Sequence, residues 1–239
     1  MKRLVFLFAV LVLAAPPAPA EAQSRDAVVV ELFTSQGCPA CPPAEAYLRD
    51  LAERGDVIAL EYHIDYYDYA GWKDPFGRAD HTRRWQTYAR TLEARYEYTP
   101  FMVIGGMSHV VGSQRQRAEA QIRSAREMAR EAPRLIVENR EREAVIRVDG
   151  SGPPGIYDIV LVTYDREHRT AVTAGENRGQ ILVEANVVRS FERVGQWAGL
   201  PVRLTVPLDA MPGDGGCAVL LQRAGVGPIA VAAAFPLDR

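Results

Sequence analysis

Two cysteines three positions apart, Cys38 and Cys41, are the residues of this chain whose type and spacing point most directly to chemistry. They lie in Glu31-Leu32-Phe33-Thr34-Ser35-Gln36-Gly37-Cys38-Pro39-Ala40-Cys41-Pro42-Pro43-Ala44, after the apolar run Ala27 to Val30 and before a helical pattern. A cysteine where a strand turns into a helix meets unpaired backbone N–H groups and the positive end of the helix dipole. Both favour thiolate over thiol. Cys41, about one turn further on, is placed to resolve a mixed disulfide formed at Cys38. The chemistry is dithiol–disulfide exchange, with Cys38 as nucleophile and Cys41 as resolving thiol. A structural staple is one alternative, although closing so short a loop removes only about 2 kcal/mol of chain entropy. Zinc is another, but it normally takes four ligands, and no second C-x-x-C exists.

Other residues stand to act with the pair. Thr99-Pro100 opens the apolar stretch Phe101 to Ile104. A cis bond is readily accessible only before proline. In the thioredoxin-like folds that this strand–cysteine–helix order resembles, such a proline lies beside the disulfide and sets the preceding backbone to pair with an extended peptide. Pro100 with Thr99 is therefore the expected substrate-positioning pair. Glu31 is a candidate proton relay for Cys41, since burial raises a carboxyl pKa. Its spacing from Cys38 is one residue longer than that role suggests, and a solvated strand-edge glutamate is the alternative. His63, Asp65 and Asp68 offer a metal or proton-transfer cluster, or else a packed loop with local hydrogen bonds. Among the aromatic residues of the same connection, Tyr66, Trp72 and Phe76 offer an apolar surface for unfolded peptide, or a cover for the sheet. Cys217 reads as a buried apolar residue.

The elements that must position these groups follow from periodicity. Ala27 to Phe33 reads as a buried strand, and Ala44, Tyr47, Leu48, Leu51 and Ala52 form one helical face. Pro39 fits the first helical position and Pro42 the first turn, while Pro43 either kinks the helix or marks its true start. Val57 to Tyr62 reads as a strand, Trp85, Tyr88, Ala89 and Leu92 as a helix face, and Tyr98 to Gly112 as a hairpin. Ala118, Ile122, Ala125 and Met128 carry a last helix. This βαβαββα order is that of the thioredoxin fold. Short strands are expected afterwards at Leu135–Glu138, Ala144–Val148, Tyr157–Tyr164, Val187–Gln196, Arg203–Val206, Ala218–Gln222 and Ile229–Ala234. The expected architecture is thus an α/β thioredoxin-like domain over residues 23–132 and a β-rich, sandwich-like domain over 133–239.

The chain has 239 residues and a formal charge of −2. Lys2 and Arg3, the apolar run Leu4 to Ala15 and the small residues before Ala22 read as a signal peptide over residues 1–22. Cleavage there removes Lys2, Arg3 and Glu21 and leaves a charge of −3. The mature protein is expected to be exported, periplasmic or secreted, with no stable membrane insertion after cleavage. Near-neutral charge argues against nucleic acid as a partner. Three cysteines are too few for a disulfide scaffold.

With these residues assembled, the chain resembles the secreted thioredoxin-like family catalogued as domain of unknown function 1223. The resemblance rests on the cysteine stretch, on His63, Asp65-Tyr66, Gly71 to Phe76 and Tyr98-Thr99-Pro100, and later on Gly175-Glu176-Asn177, Asn186 to Arg189 and Val219 to Gln222. It implies fold and export, and no activity. The resulting expectation is an exported thiol–disulfide oxidoreductase that needs no cofactor beyond its cysteines and acts on exported protein or small-thiol disulfides. A copper(I) metallochaperone using the cysteines and a histidine such as His63, or a non-catalytic binding module, is the alternative.

Overall fold

The computed structural model describes residues 20–23, 27–128, 132–140, 142–209 and 211–237. Most of the expected signal peptide lies outside the described residues; residues 20–23 form a short strand, β1 (Ala20–Gln23). The strand β2 (Val28–Thr34) is buried along its whole length, as its valine-rich composition requires. Helix α1 (Pro42–Ala52) starts with two prolines, whose missing N–H groups are ones a first turn leaves unpaired anyway. Strand β3 (Val57–His63) pairs parallel with β2, in register from Val28–Val57 to Thr34–His63. A 3-10 turn (Asp65–Ala70) and helix α2 (Ala79–Thr91) lead to β4 (Phe101–Ile104), β5 (Ser108–Val111) and α3 (Arg115–Met128).

The remainder is strand: β6 (Arg134–Arg140), β7 (Glu143–Asp149), β8 (Tyr157–Ala171), β9 (Ile181–Trp197), β10 (Val202–Pro207), β11 (Gly216–Arg223) and β12 (Ile229–Pro236). Eight strands drawn from both halves of the chain form one mixed sheet in the order β12-β11-β8-β9-β3-β2-β4-β5. A second sheet has the order β1-β6-β7-β10. The expected thioredoxin-like α/β domain followed by a β-sandwich-like domain is therefore not what forms. The chain is mostly β, and its main sheet continues across residues 132–133.

The reason lies at the outer edge of β3. Alone, that edge would present unpaired N–H and C=O groups. Here Glu61 pairs in parallel with Val187 of β9, and the Glu61 carboxylate accepts the Ala185 N–H at 2.9 Å. The Asn186 amide donates to the Ala59 carbonyl at 3.0 Å, with Asn186 at φ +53°, a conformation asparagine tolerates better than most side chains. Strands β8 and β9 are also longer than expected. Charged residues from Asp165 to Arg169 break the apolar alternation, so the outer half of this hairpin is not visible as strand in the sequence.

The large sheet curls until its ends meet, with the Ile229 N–H donating to the Gly105 carbonyl at 2.8 Å. It wraps a core in which Phe33, Leu60, Tyr62, Trp85 and Tyr88 pack with Val160, Val162, Ala218 and Leu220. On the opposite face α1 and α3 cover Val30, Leu32, Met102 and Ile104 with Ala44, Leu48, Leu51 and Ile122. A third core joins Leu135, Val137 and Ile146 of the smaller sheet to Leu161, Val219 and Leu221, and Cys217 is buried in it. Among the described residues, no helix is long and apolar enough to cross a membrane.

The closure gives a direct test. Gly106, at φ +66°, has the Gly227 carbonyl where a Cβ would sit. Gly106→Ala is expected to lower the unfolding free energy by about 1–3 kcal/mol in urea titrations. An unchanged midpoint would mean that the two sheet ends do not meet in solution.

Candidate functional site

The cysteine loop folds as two successive turns. The Cys38 N–H donates to the Ser35 carbonyl at 3.0 Å and the Cys41 N–H to the Cys38 carbonyl at 3.2 Å. Cys38 and Cys41 form a disulfide, with Cα atoms 5.4 Å apart. Both are buried, at 1% and 0% exposure, while Pro39 and Ala40 between them are exposed. The helix starts at Pro42, so Cys41 is its N-cap and Pro39 lies outside it. Cys38 is thus a turn away from the dipole. The first available helical N–H groups, those of Ala44 and Glu45, bond to the Cys41 carbonyl at 2.8 and 3.2 Å.

Thr99 supplies what the helix does not. Its hydroxyl lies 3.3 Å from Cys38 Sγ and 2.9 Å from the Tyr67 hydroxyl. Thr99 is the donor in both contacts, so its one proton is shared between Cys38 Sγ and the Tyr67 oxygen. The Thr99–Pro100 bond is cis, and the Pro100 carbonyl accepts the Gly112 N–H at 3.0 Å. Gly112 is required there, because a Cβ would press into Ala44 and Leu32.

The tip of the β8–β9 hairpin straps this loop down. The Asn177 amide donates to the Gln36 carbonyl at 2.9 Å and to the Cys38 carbonyl at 3.0 Å. The Gln36 amide donates to Thr170 Oγ1 at 2.9 Å and Glu184 Oε1 at 2.7 Å, and its oxygen accepts the Trp72 indole N–H at 2.9 Å. From α1, the Arg49 guanidinium donates to the Val183 carbonyl at 3.1 Å. Residue chemistry in the sequence points to none of Gln36, Thr170, Asn177 and Glu184; Gln36 lies in the cysteine stretch and Asn177 in the motif Gly175-Glu176-Asn177.

Beneath the strap lies a buried polar cluster. His63 Nδ1 is 2.8 Å from Asp74 Oδ2, and its Nε2 is 3.5 Å from Glu61 Oε1. Asp74 also accepts the N–H groups of Gln36 at 2.8 Å and Phe76 at 2.9 Å. Burial opposes the charged ring of His63, yet the Asp74 and Glu61 carboxylates outweigh it and hold its pKa well above the ordinary value. Burial raises Asp74, but His63 and the two N–H groups bring its pKa below the usual range. Asp65 is not part of this cluster: it accepts a hydrogen bond from the Thr82 hydroxyl at 2.5 Å, while Asp68 accepts the Asp74 N–H at 3.1 Å. Among the described residues, no three His, Cys, Asp or Glu side chains are grouped to hold a metal ion.

Glu31 and Cys41 are on opposite sides of the sheet. Successive strand residues alternate faces. Leu32 and Val30 of β2 face α1, whereas Glu31 shares the other face with Val29 and Phe33. There Arg84 Nε donates to Glu31 Oε1 at 2.8 Å, the Tyr88 hydroxyl bonds Oε2, and Gln222 of β11 bonds both Arg84 and Tyr88. Glu31 is thus a buried ion-pair partner joining the two halves of the chain. Among the acids on the cysteine side is Glu45 of α1, buried and accepting from the Thr34 hydroxyl at 2.6 Å.

The aromatic residues divide similarly. Tyr66 is half exposed and packs edge-on against Trp85 and Tyr67. Trp72 is held by Gln36, and Phe76 packs between His63 and His168 with the Arg189 guanidinium over its ring. Tyr66 presents a surface, whereas Trp72 and Phe76 dock the connection onto the hairpin.

Two substitutions test these assignments. Asn177→Ala removes two bonds to the cysteine loop, and dithiothreitol should then reduce the disulfide about fivefold faster, since about 1 kcal/mol of lost bonding raises the opened population by that much. Glu31→Ala strands the buried Arg84 guanidinium and should cost about 3–5 kcal/mol in chemical unfolding. A cost below 1 kcal/mol would place Glu31 in solvent instead.

No curated protein matches the chain. The crystal structure of protein AGR_C_4864 from Agrobacterium tumefaciens is similar, with a TM-score of 0.77 at 32% sequence identity. The alignment covers 89% of this chain and 95% of that one. Residues 29–222, which hold the cysteine loop, the strap and both partners of the Glu31 ion pair, match the family described as Protein of unknown function (DUF1223), and the chain belongs to that family.

Proposed function

We propose that this protein is an exported thiol–disulfide oxidoreductase, acting through Cys38 and Cys41 on exported protein or small-thiol disulfides. One juxtaposition carries the proposal: the Thr99 hydroxyl lies 3.3 Å from Cys38 Sγ, a donor beside the sulfur that is attacked and that is later released as thiolate. An incoming thiolate attacks Cys38, a mixed disulfide forms there, and the electron pair of the broken S–S bond goes to Cys41. In the reverse direction the Cys41 thiolate attacks Cys38 and expels the substrate thiolate. Nothing beyond the two cysteines is needed for electron balance. Export is supported by the signal-like residues 1–22, and an oxidising compartment is where such a disulfide persists.

Burial of both sulfurs favours a second reading, a disulfide serving a non-catalytic binding module. Trapping separates the two. Cys41→Ser leaves Cys38 without its resolving partner and is expected to accumulate mixed disulfides with glutathione and with exported proteins, whereas Cys38→Ser accumulates far fewer. A wild-type disulfide that does not equilibrate in glutathione buffers, together with no adduct on Cys41→Ser, would establish the non-catalytic module.

A further inference from the structure

Opening the disulfide leaves charge on a sulfur with little to stabilise it. Cys41 is fully buried, and the two residues after it are prolines, which offer no N–H. The next two N–H groups are already committed to the Cys41 carbonyl. A thiolate there is costly unless a proton reaches it.

We propose that Glu45 is the acid that protonates Cys41 Sγ when a thiolate attacks Cys38, a role that rests on the exchange reaction above. Glu45 follows Cys41 by four residues in the first turn of α1, so the two side chains share one face. Helical side chains lean toward the N-terminus, which carries the Glu45 carboxyl toward Cys41. Both residues are buried, and Ala44 and Leu48 of the same helix pack against Leu32 and Val30 of β2. Thr34 donates to Oε1, which directs the acid proton to Oε2.

The groups facing this carboxyl keep it protonated. Burial acts most strongly, followed by Glu61 of β3; Glu184 of β9 works in the same direction, while Thr34 of β2 and His63 of β3 oppose. The result is a pKa raised to about 8, so Glu45 holds its proton at neutral pH and loses it above. In the step itself the attacking thiolate bonds to Cys38 Sγ and the Cys38–Cys41 bond breaks. The electron pair goes to Cys41 Sγ, and the Glu45 proton follows it. A second thiolate then releases Cys38 as thiolate and departs as a disulfide, and solvent reprotonates Glu45. Two thiols are oxidised and one disulfide is reduced.

The test is stopped-flow reduction of the full mature chain by glutathione, with the rate constant expressed per glutathione thiolate across pH 6 to 9.5. The wild-type constant should fall about tenfold as pH rises through about 8, because the acid is lost. Glu45→Gln should give a flat profile, about tenfold below wild type at pH 6.5. Glu45→Asp keeps a titrating acid and should keep the fall with pH, so the proposal stays testable if the glutamine variant does not fold. A glutamine variant, or failing that Glu45→Ala, whose profile still falls as wild type does would overturn the role of Glu45 while leaving exchange intact, as would a flat profile for Glu45→Asp. A wild-type disulfide that glutathione does not reduce at any pH would overturn the exchange reaction itself.

Discussion

The Glu61 carboxylate is buried where the two halves of the chain meet. One oxygen accepts the Ala185 N–H and secures β9 to the edge of β3, while the other faces His63 at 3.5 Å. Without that side chain, one parallel bridge and the Asn186–Ala59 bond would join β9 to β3. The same charge reaches the cysteine side of the sheet, where it helps keep Glu45 protonated. Glu45, Glu61, Asp74 and Glu184 share one neighbourhood with a single histidine, and so many buried carboxyls cannot all ionise beside one cation. The structure distributes the charge unevenly. Asp74 is ionised against His63 and two backbone N–H groups, while Glu45 and Glu184 are driven toward their neutral forms.

Reactivity and access oppose each other at the cysteines. Three prolines strip the loop of backbone donors, and the strap from the hairpin presses it against the sheet. Asn177 holds two carbonyls of the loop, so the turn that bears Cys38 cannot shift without breaking both bonds. Thr99 and Tyr67 lie beside the Cys38 sulfur. A site built in this way favours a small reactant, or a partner that first displaces the strap, over one that merely collides with an exposed sulfur.

Local elements were largely legible in the sequence. Valine-rich runs marked β2 and β3, and the 3.6-residue spacing of Trp85 and Tyr88 marked α2. The start of α1 was less so: three prolines fit several helix starts, and contacts made by Ala44 and Leu48 with the sheet select Pro42. The outer hairpin was hidden because Asp165, His168 and Arg189 are paired with one another and not packed in a core, so they mimic a loop pattern. The face of Glu31 was likewise illegible from composition. Period-two alternation relates it to its neighbours, but which face carries α1 depends on how the chain crosses the sheet.

By itself, the sequence determined which short segments are strand or helix and that two cysteines share a turn beside a helix start, because periodicity and proline chemistry act within a few residues. Tertiary structure alone decided that both halves build one sheet and that Glu31 pairs with Arg84. Those outcomes depend on partners more than fifty residues away, on Arg84 for Glu31 and on Ala185 for Glu61. A carboxyl becomes an ion-pair partner or a proton donor according to what the fold buries beside it.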